Sequence, residues 1–157
     1  MLSHVNDKNQ PSMVDVSDKT PTLRTAHARS EVFLPDDIYA LIKSNDLQSK
    51  KGPVFHTAII AGVMAAKTTG SLIPFCHPIG LEDCQISIEP KGKNIIQIDC
   101  HTKLTAKTGV EMEALMGASI AALTIYDMCK AMSHDIQILN TKLMAKSGGK
   151  KDFLRKN

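Results

Sequence analysis

Hydrophobic and polar positions along the chain alternate between two periods. Residues 22–34, TLRTAHARSEVFL, mix β-compatible side chains with polar ones and predict a strand. Pro35-Asp36-Asp37 opens a helix, since proline suits a first turn and acids suit the positive end of the helix dipole. Ile38, Leu41 and Ile42 would be its apolar face, and Ser44-Asn45-Asp46 its end. After the loop Lys50-Lys51-Gly52-Pro53, residues 54–69 predict a second helix. Ile59, Val63 and Ala66 line one side, Ile60, Met64 and Lys67 lie beside them, and Gly70 suits the exit. SLIPFCHPIGL (71–81) holds two prolines and cannot continue a helix.

The period then changes to two. CQISIE (84–89) and IIQIDCHTKLT (95–105) flank the turn Pro90–Asn94 and predict a hairpin. Thr108-Gly109-Val110-Glu111 has capping-box spacing and opens a long helix over 110–131. Residues 134–144, HDIQILNTKLM, predict a last strand, followed by a basic, glycine-bearing tail. The order β-α-α-β-β-α-β predicts an α+β sandwich, helices on one face of an antiparallel sheet, close to the split βαβ pattern. The expected organisation is a mobile polar leader over 1–12, one domain over 13–151 beginning at MVDVS, and a basic tail over 152–157.

Charge changes this picture little, except at one end. The 157 residues carry a net +3. Residues 146–157 hold five basic residues against Asp152 alone, a local +4, so the other 145 residues sum to −1. A near-neutral body argues against a broad nucleic-acid face. Two Tyr, four Phe and no Trp make a poor stacking platform for single strands. The first twelve residues hold no apolar stretch of the secretory kind. The uncharged run 114–126 is too short to cross a bilayer. Four cysteines without a C-x-x-C pair suit reduced thiols in the cytoplasm, and no histidine or cysteine spacing announces a metal site.

Three clusters could carry chemistry. Asp127 and Lys130 share a helix face; spacing alone suits a surface ion pair equally well, whereas the apolar sequence around them, LTIYDMCKAM, favours partial desolvation that would shift their pKa values toward neutral proton exchange. Glu111 has capping as its simplest duty, whereas Glu113 has none. Glu113 and Asp127 stand fourteen residues apart, roughly 21 Å along a helix, so if both serve one reaction either the ligand is long or a second subunit supplies one end. In LIPFCHP, two prolines pre-set the loop around Cys76 and His77. Lys50-Lys51-Gly52 and Lys146–Lys151 pair lysine with glycine, a combination that suits an anion without being a Walker loop.

MVDVSDK (13–19), KGPVFHTAIIAGVMAAK (51–67), LIPFCHPI (72–79), TAKTGVEMEALMGASIAALTIYDMCKA (105–131) and LMAKSGGK (143–150) resemble the cyclic pyranopterin monophosphate synthase family of molybdenum cofactor biosynthesis. The resemblance implies a ferredoxin-like fold and a homohexamer, a trimer of dimers with sites at the dimer interface. It implies a lyase that converts 3′,8-cyclo-7,8-dihydro-GTP, made from GTP by a radical cyclase, into cyclic pyranopterin monophosphate and pyrophosphate. By the same resemblance Lys51, Asp127 and Lys130 are the general acid–base residues. Phe75, Cys76, His77, Met112 and Glu113, with Glu111, would grip the base portion, and Arg24, Lys67, Lys146 and Lys150 the triphosphate. Phe75 departs from the leucine commoner there, and Gly70-Ser71 fall at a variable place. No cofactor is called for, though magnesium could accompany the triphosphate. Neither nucleic acid nor membrane is expected as a partner. The competing readings are a nucleotide- or RNA-binding module using the basic tail, and a purely structural oligomer packed through the alanine-rich helix. The neutral body and scarce aromatics weigh against the first.

Overall fold

The structure, a computed structural model, describes residues 4–6 and 8–156. The main sheet is built on β1 (Thr22–Phe33), followed by the single-turn helix α1 (Asp36–Tyr39). Three short strands, β2 (Ile42–Lys43), β3 (Asp46–Ser49) and β4 (Gly52–Pro53), form a separate small sheet. Helix α2 (Val54–Lys67) and the turn-length α3 (Thr69–Leu72) lead into the hairpin β5 (Asp83–Pro90) and β6 (Ile95–Ala106). Helix α4 (Glu111–Cys129), β7 (Gln137–Ser147) and β8 (Phe153–Leu154) complete the chain. The main sheet has the order β5-β6-β1-β7-β8, antiparallel at every step. It is an α+β ferredoxin-like sandwich with helices on one face, as the element order predicts.

Alternation along the strands decides which face the helices cover. Ala28, Val32, Ile98 and Cys100 are fully buried. The other alternating set is polar. His27 and His101 are register partners with rings stacked at 4.0 Å, and Asp99 accepts hydrogen bonds from Arg29 (2.8 Å) and Gln97 (2.6 Å).

Helices α2 and α4 touch through their smallest residues. The buried positions of α2 are Val54, Phe55, Ala58, Gly62, Ala65 and Ala66. This corrects the expected face: Ile59 and Val63 are only half-buried, and Ile60 and Met64 are exposed. Large side chains on that side would hold the helices apart. At Gly62 a Cβ would fall 2.7 Å from the Gly117 carbonyl oxygen and 2.5 Å from Ile86 Cδ1.

Other boundaries differ for local reasons. The helix opened by Pro35 stops after one turn. Ser44 and Asn45 take positive φ (50° and 63°), the two-residue hairpin geometry, and pair Ile42 with Leu47. Leu41 is consequently exposed. Gly70 lies inside α3, not at a helix exit. The last strand starts and ends three residues late. The Asp135 N–H bonds the Ser133 hydroxyl in a turn, and two register shifts against β1 blur the alternation. Residues 4–6 and 8–12 of the expected leader include a Val5–Pro11 bridge; residues 1–3 and 7 lie outside the described residues. Length alone does not exclude α4 from a membrane: it has 19 residues with a mean hydropathy of 1.2 over its most apolar stretch. Half of that stretch is buried within the protein, as in a core helix.

Gly62→Val should lower the unfolding free energy by about 1–3 kcal/mol, because backbone cannot yield to the new side chain. Urea denaturation checks this, and an unchanged midpoint would mean that the helices do not meet there.

Candidate functional site

Helix α4 carries a charged cluster at each end. At its C-terminal end Lys51 Nζ donates to Asp127 Oδ2 at 2.8 Å and to the Asp127 carbonyl at 3.1 Å, while Lys130 Nζ pairs with Asp127 Oδ1 at 2.7 Å. Lys51 arrives there because it precedes α2, whose first turn lies beside the last turn of α4. The three side chains are 52%, 51% and 50% exposed. The hydrogen bond from Lys130, then that from Lys51, holds the Asp127 carboxyl down at about 2, and Asp127 in turn raises Lys130. The expectation of a desolvated pair drifting toward neutrality is therefore corrected. The cluster is solvated, and Asp127 and Lys130 each stabilise the other's charged form. As it stands it offers two ammonium acids around one weakly basic carboxylate.

At the N-terminal end two cavities adjoin. The first, about 520 Å³, lies between the start of the chain, the 75–79 loop and the first turn of α4, and takes in Phe75, Cys76, His77, Met112 and Glu113. His77 Nε2 is 2.8 Å from the Val14 carbonyl, so Nε2 carries the proton. His4 stacks on Phe75 with centroids 6.1 Å apart. Glu113 is 3% exposed; burial, with the nearby Glu111 charge, outweighs its backbone hydrogen bond and raises its pKa. Burial, then Glu113, also raises the Cys76 thiol, which keeps it protonated rather than nucleophilic.

The second cavity, about 620 Å³, is lined by Lys19, Arg24, Lys107, Lys146, Lys150 and Lys151, with Glu111 as its one acid. The Lys146 loop lies flat on β1. Gly148 has φ +83°, and a Cβ there would sit 1.8 Å from the Leu23 carbonyl oxygen. Glu111 makes no capping box: Val110 stands at the N-cap, without a side-chain cap, and the Glu111 carboxylate takes Lys146 Nζ at 2.8 Å instead. Glu111 thus belongs to the wall shared by both cavities.

Of the residues expected in the site, Lys51, Asp127 and Lys130 come together, as do the Phe75–His77 and Glu111–Glu113 groups. Arg24, Lys146 and Lys150 share the cationic cavity. Lys67, at the end of α2, lies outside both cavities. The sequence reading missed Lys19 and Lys107, each isolated along the chain; Lys107 Nζ also ties the start of the chain down by donating to the Ser17 carbonyl at 2.6 Å. Among the described residues no group of three or more His, Cys, Asp or Glu is placed to hold a metal ion.

Fold and clusters together define an α+β protein with a charged candidate site at each end of α4. Its residues 13–149 match the MoaC family, to which the chain belongs. It is 52% identical over 152 residues to a cyclic pyranopterin monophosphate synthase of Xanthomonas campestris pv. campestris, covering 97% of this chain and 92% of that one. A protein of the same name from Bacillus velezensis is 46% identical over 158 residues, covering 98% and 92%. A molybdenum cofactor biosynthesis bifunctional protein of Synechocystis is 48% identical over 156 residues, covering 97% of this chain and 45% of its own.

The raised pKa of Glu113 fixes the sign of a pH effect. A carboxyl that binds its proton more tightly when folded adds stability at low pH and loses it as pH rises from the unfolded value through the folded one. Glu113→Gln should therefore raise the thermal midpoint at pH 7–8, and the gain should vanish as pH falls below the usual carboxylate range. A gain independent of pH in melting curves would refute the buried-charge assignment.

Proposed function

We propose that this enzyme converts 3′,8-cyclo-7,8-dihydro-GTP to cyclic pyranopterin monophosphate with release of pyrophosphate, as a lyase of molybdenum cofactor biosynthesis. The observation that carries the reading is the pairing of an acid–base cluster with a polycationic cavity at opposite ends of one helix. Rearranging the cyclised nucleotide into a pyranopterin needs proton transfers without net redox chemistry. Closing the cyclic phosphate needs attack on the α-phosphate and a stabilised leaving pyrophosphate. Lys51, Lys130 and Asp127 are suited to the first task. Lys146, Lys150 and Arg24, with Lys19 and Lys107, are suited to the second, since mobile point charges follow a phosphate as its bonds change. Phe75–His77, Met112 and Glu113 would hold the base beside them.

Glu113 and Asp127 stand about 21 Å apart along α4. A ligand too short to span that distance would need one copy's cationic cavity to meet another copy's acid–base cluster. This supports a site at a dimer interface, and with the family resemblance a hexamer, a trimer of dimers. Magnesium would enter on the triphosphate. The substrate would come from a radical GTP cyclase, and the unpaired thiols of Cys76, Cys84, Cys100 and Cys129 fit a cytoplasmic setting.

Purified protein given the cyclised nucleotide should release pyrophosphate and the pyranopterin in equal amounts. Asp127→Ala and Lys130→Ala should each lower turnover at least 100-fold while the assembly survives on gel filtration. Turnover near wild type in either would leave that ion pair a surface contact. A sharper check mixes Lys51→Ala subunits with Lys146→Ala subunits after unfolding and refolding together. Sites shared between copies should regain activity in the mixture, whereas sites contained within one chain would stay dead.

A further inference from the structure

Helix α2 begins without a cap of its own. Its N-cap residue is Pro53, which has neither a side-chain acceptor nor an N–H, so the first N–H groups of α2 need partners from elsewhere. They find one at the start of β3. Asp46, 6% exposed, accepts from the Phe55 N–H at 2.7 Å and the Leu47 N–H at 2.6 Å through Oδ1. Its Oδ2 accepts from the His56 N–H at 3.4 Å and meets the His56 ring at Nδ1. One buried carboxylate therefore binds both ends of a short excursion of chain. Both ends are in turn fixed in the core, since Leu47 is fully buried and Phe55 is 2% exposed.

Lys51 sits at the tip of that excursion. Within it the Ser49 hydroxyl accepts from the Lys51 N–H at 3.1 Å and donates to the Gly52 carbonyl at 3.2 Å. The Lys51 backbone is thus held in a closed turn while its ammonium reaches 2.8 Å to Asp127. An exposed, four-carbon side chain has many rotamers to lose on pairing, and a fixed backbone reduces what must be ordered. Burial penalises the Asp46 carboxylate, yet the hydrogen bonds from Phe55, His56 and Leu47 hold its pKa below the usual range, as expected of a charge retained for its contacts.

We propose that Asp46 is a positioning residue for Lys51, capping α2 from β3 and thereby fixing the turn that presents the Lys51 ammonium to Asp127. Its catalytic consequence rests on the acid–base role proposed above for Lys51; its structural part does not. The Asp127 carboxyl, followed by ¹³C NMR titration, reports Lys51 directly, because Lys51 is one of the two ammonium groups that depress it. Lys51→Ala should raise the Asp127 pKa. Asp46→Ala should raise it at least half as far, although residue 46 does not touch Asp127, and should add nothing further in the Lys51→Ala background. Asp46→Asn, which keeps one acceptor oxygen, should give a smaller shift in the same direction and serves if the alanine variant fails to fold. An unmoved Asp127 titration in a folded Asp46 variant, with Lys51→Ala shifting it normally, overturns the proposal. In turnover, Asp46→Asn should lower kcat about tenfold with KM within twofold, since the substrate grip lies at the other end of α4. If the wild-type protein does not turn over the cyclised nucleotide, the functional reading fails while the titration still decides the role of Asp46.

Discussion

The contact between α2 and α4 governs the rest of the molecule. Two helices that meet through Gly62 and Gly117 lie close enough for their ends to share side chains. Because they run in opposite directions, the start of α2 falls beside the end of α4, and Lys51 meets Asp127. The same packing leaves the first turn of α4 free to face the 75–79 loop and the start of the chain. Small residues in this seam add little buried apolar area of their own. They allow the large side chains Phe55, Ile125 and Ile98 to fill the layer between helices and sheet.

The two ends of α4 handle charge in different ways. Around Asp127 charge is solvated and mutually satisfied, so its pKa shifts come from partners. Around Glu113 charge is buried beside Glu111, so the shift comes from the loss of water. The basic tail divides along similar lines. Lys146 and Lys150 open onto the cationic cavity, while the chain beyond returns to the sheet. Phe153–Leu154 pair with β7, and Arg155 donates from its backbone to Met144 (2.7 Å) and from its side chain to Leu143 (2.8 Å). The net +3 is thus concentrated where the cavity is.

Long elements with one dominant period were legible in the sequence. The β5–β6 hairpin alternates cleanly, and α4 is a nineteen-residue helix. The small sheet over 42–53 was not, because strands of two to four residues carry no period to read. The buried face of α2 is not legible in its sequence, because hydrophobic spacing favours Ile59 and Val63 whereas close helix packing favours Ala58 and Gly62. In the candidate site, the i,i+3 pair Asp127–Lys130 is local and readable from spacing. Lys51 joins it only through the fold, 76 residues away, and was named by resemblance. The capping box failed for the converse reason: a local hydrogen bond was displaced by an ion pair to Lys146, 35 residues on. Lys19 and Lys107 left no local signal.

The position of β1 has a consequence for how the chain comes to be folded. Strand β1 lies in the middle of the main sheet, and its partners, residues 95–106 and 137–147, both come much later in the chain. One of its hydrogen-bonding edges stays open until residues 95–106 have been made, and the other until residues 137–147 have. Pairings this distant in sequence fold slowly and are exposed to wrong partners meanwhile. The polar alternate positions of β1, Thr25, His27, Arg29 and Glu31, give that strand one hydrophilic face, a pattern that opposes premature edge pairing.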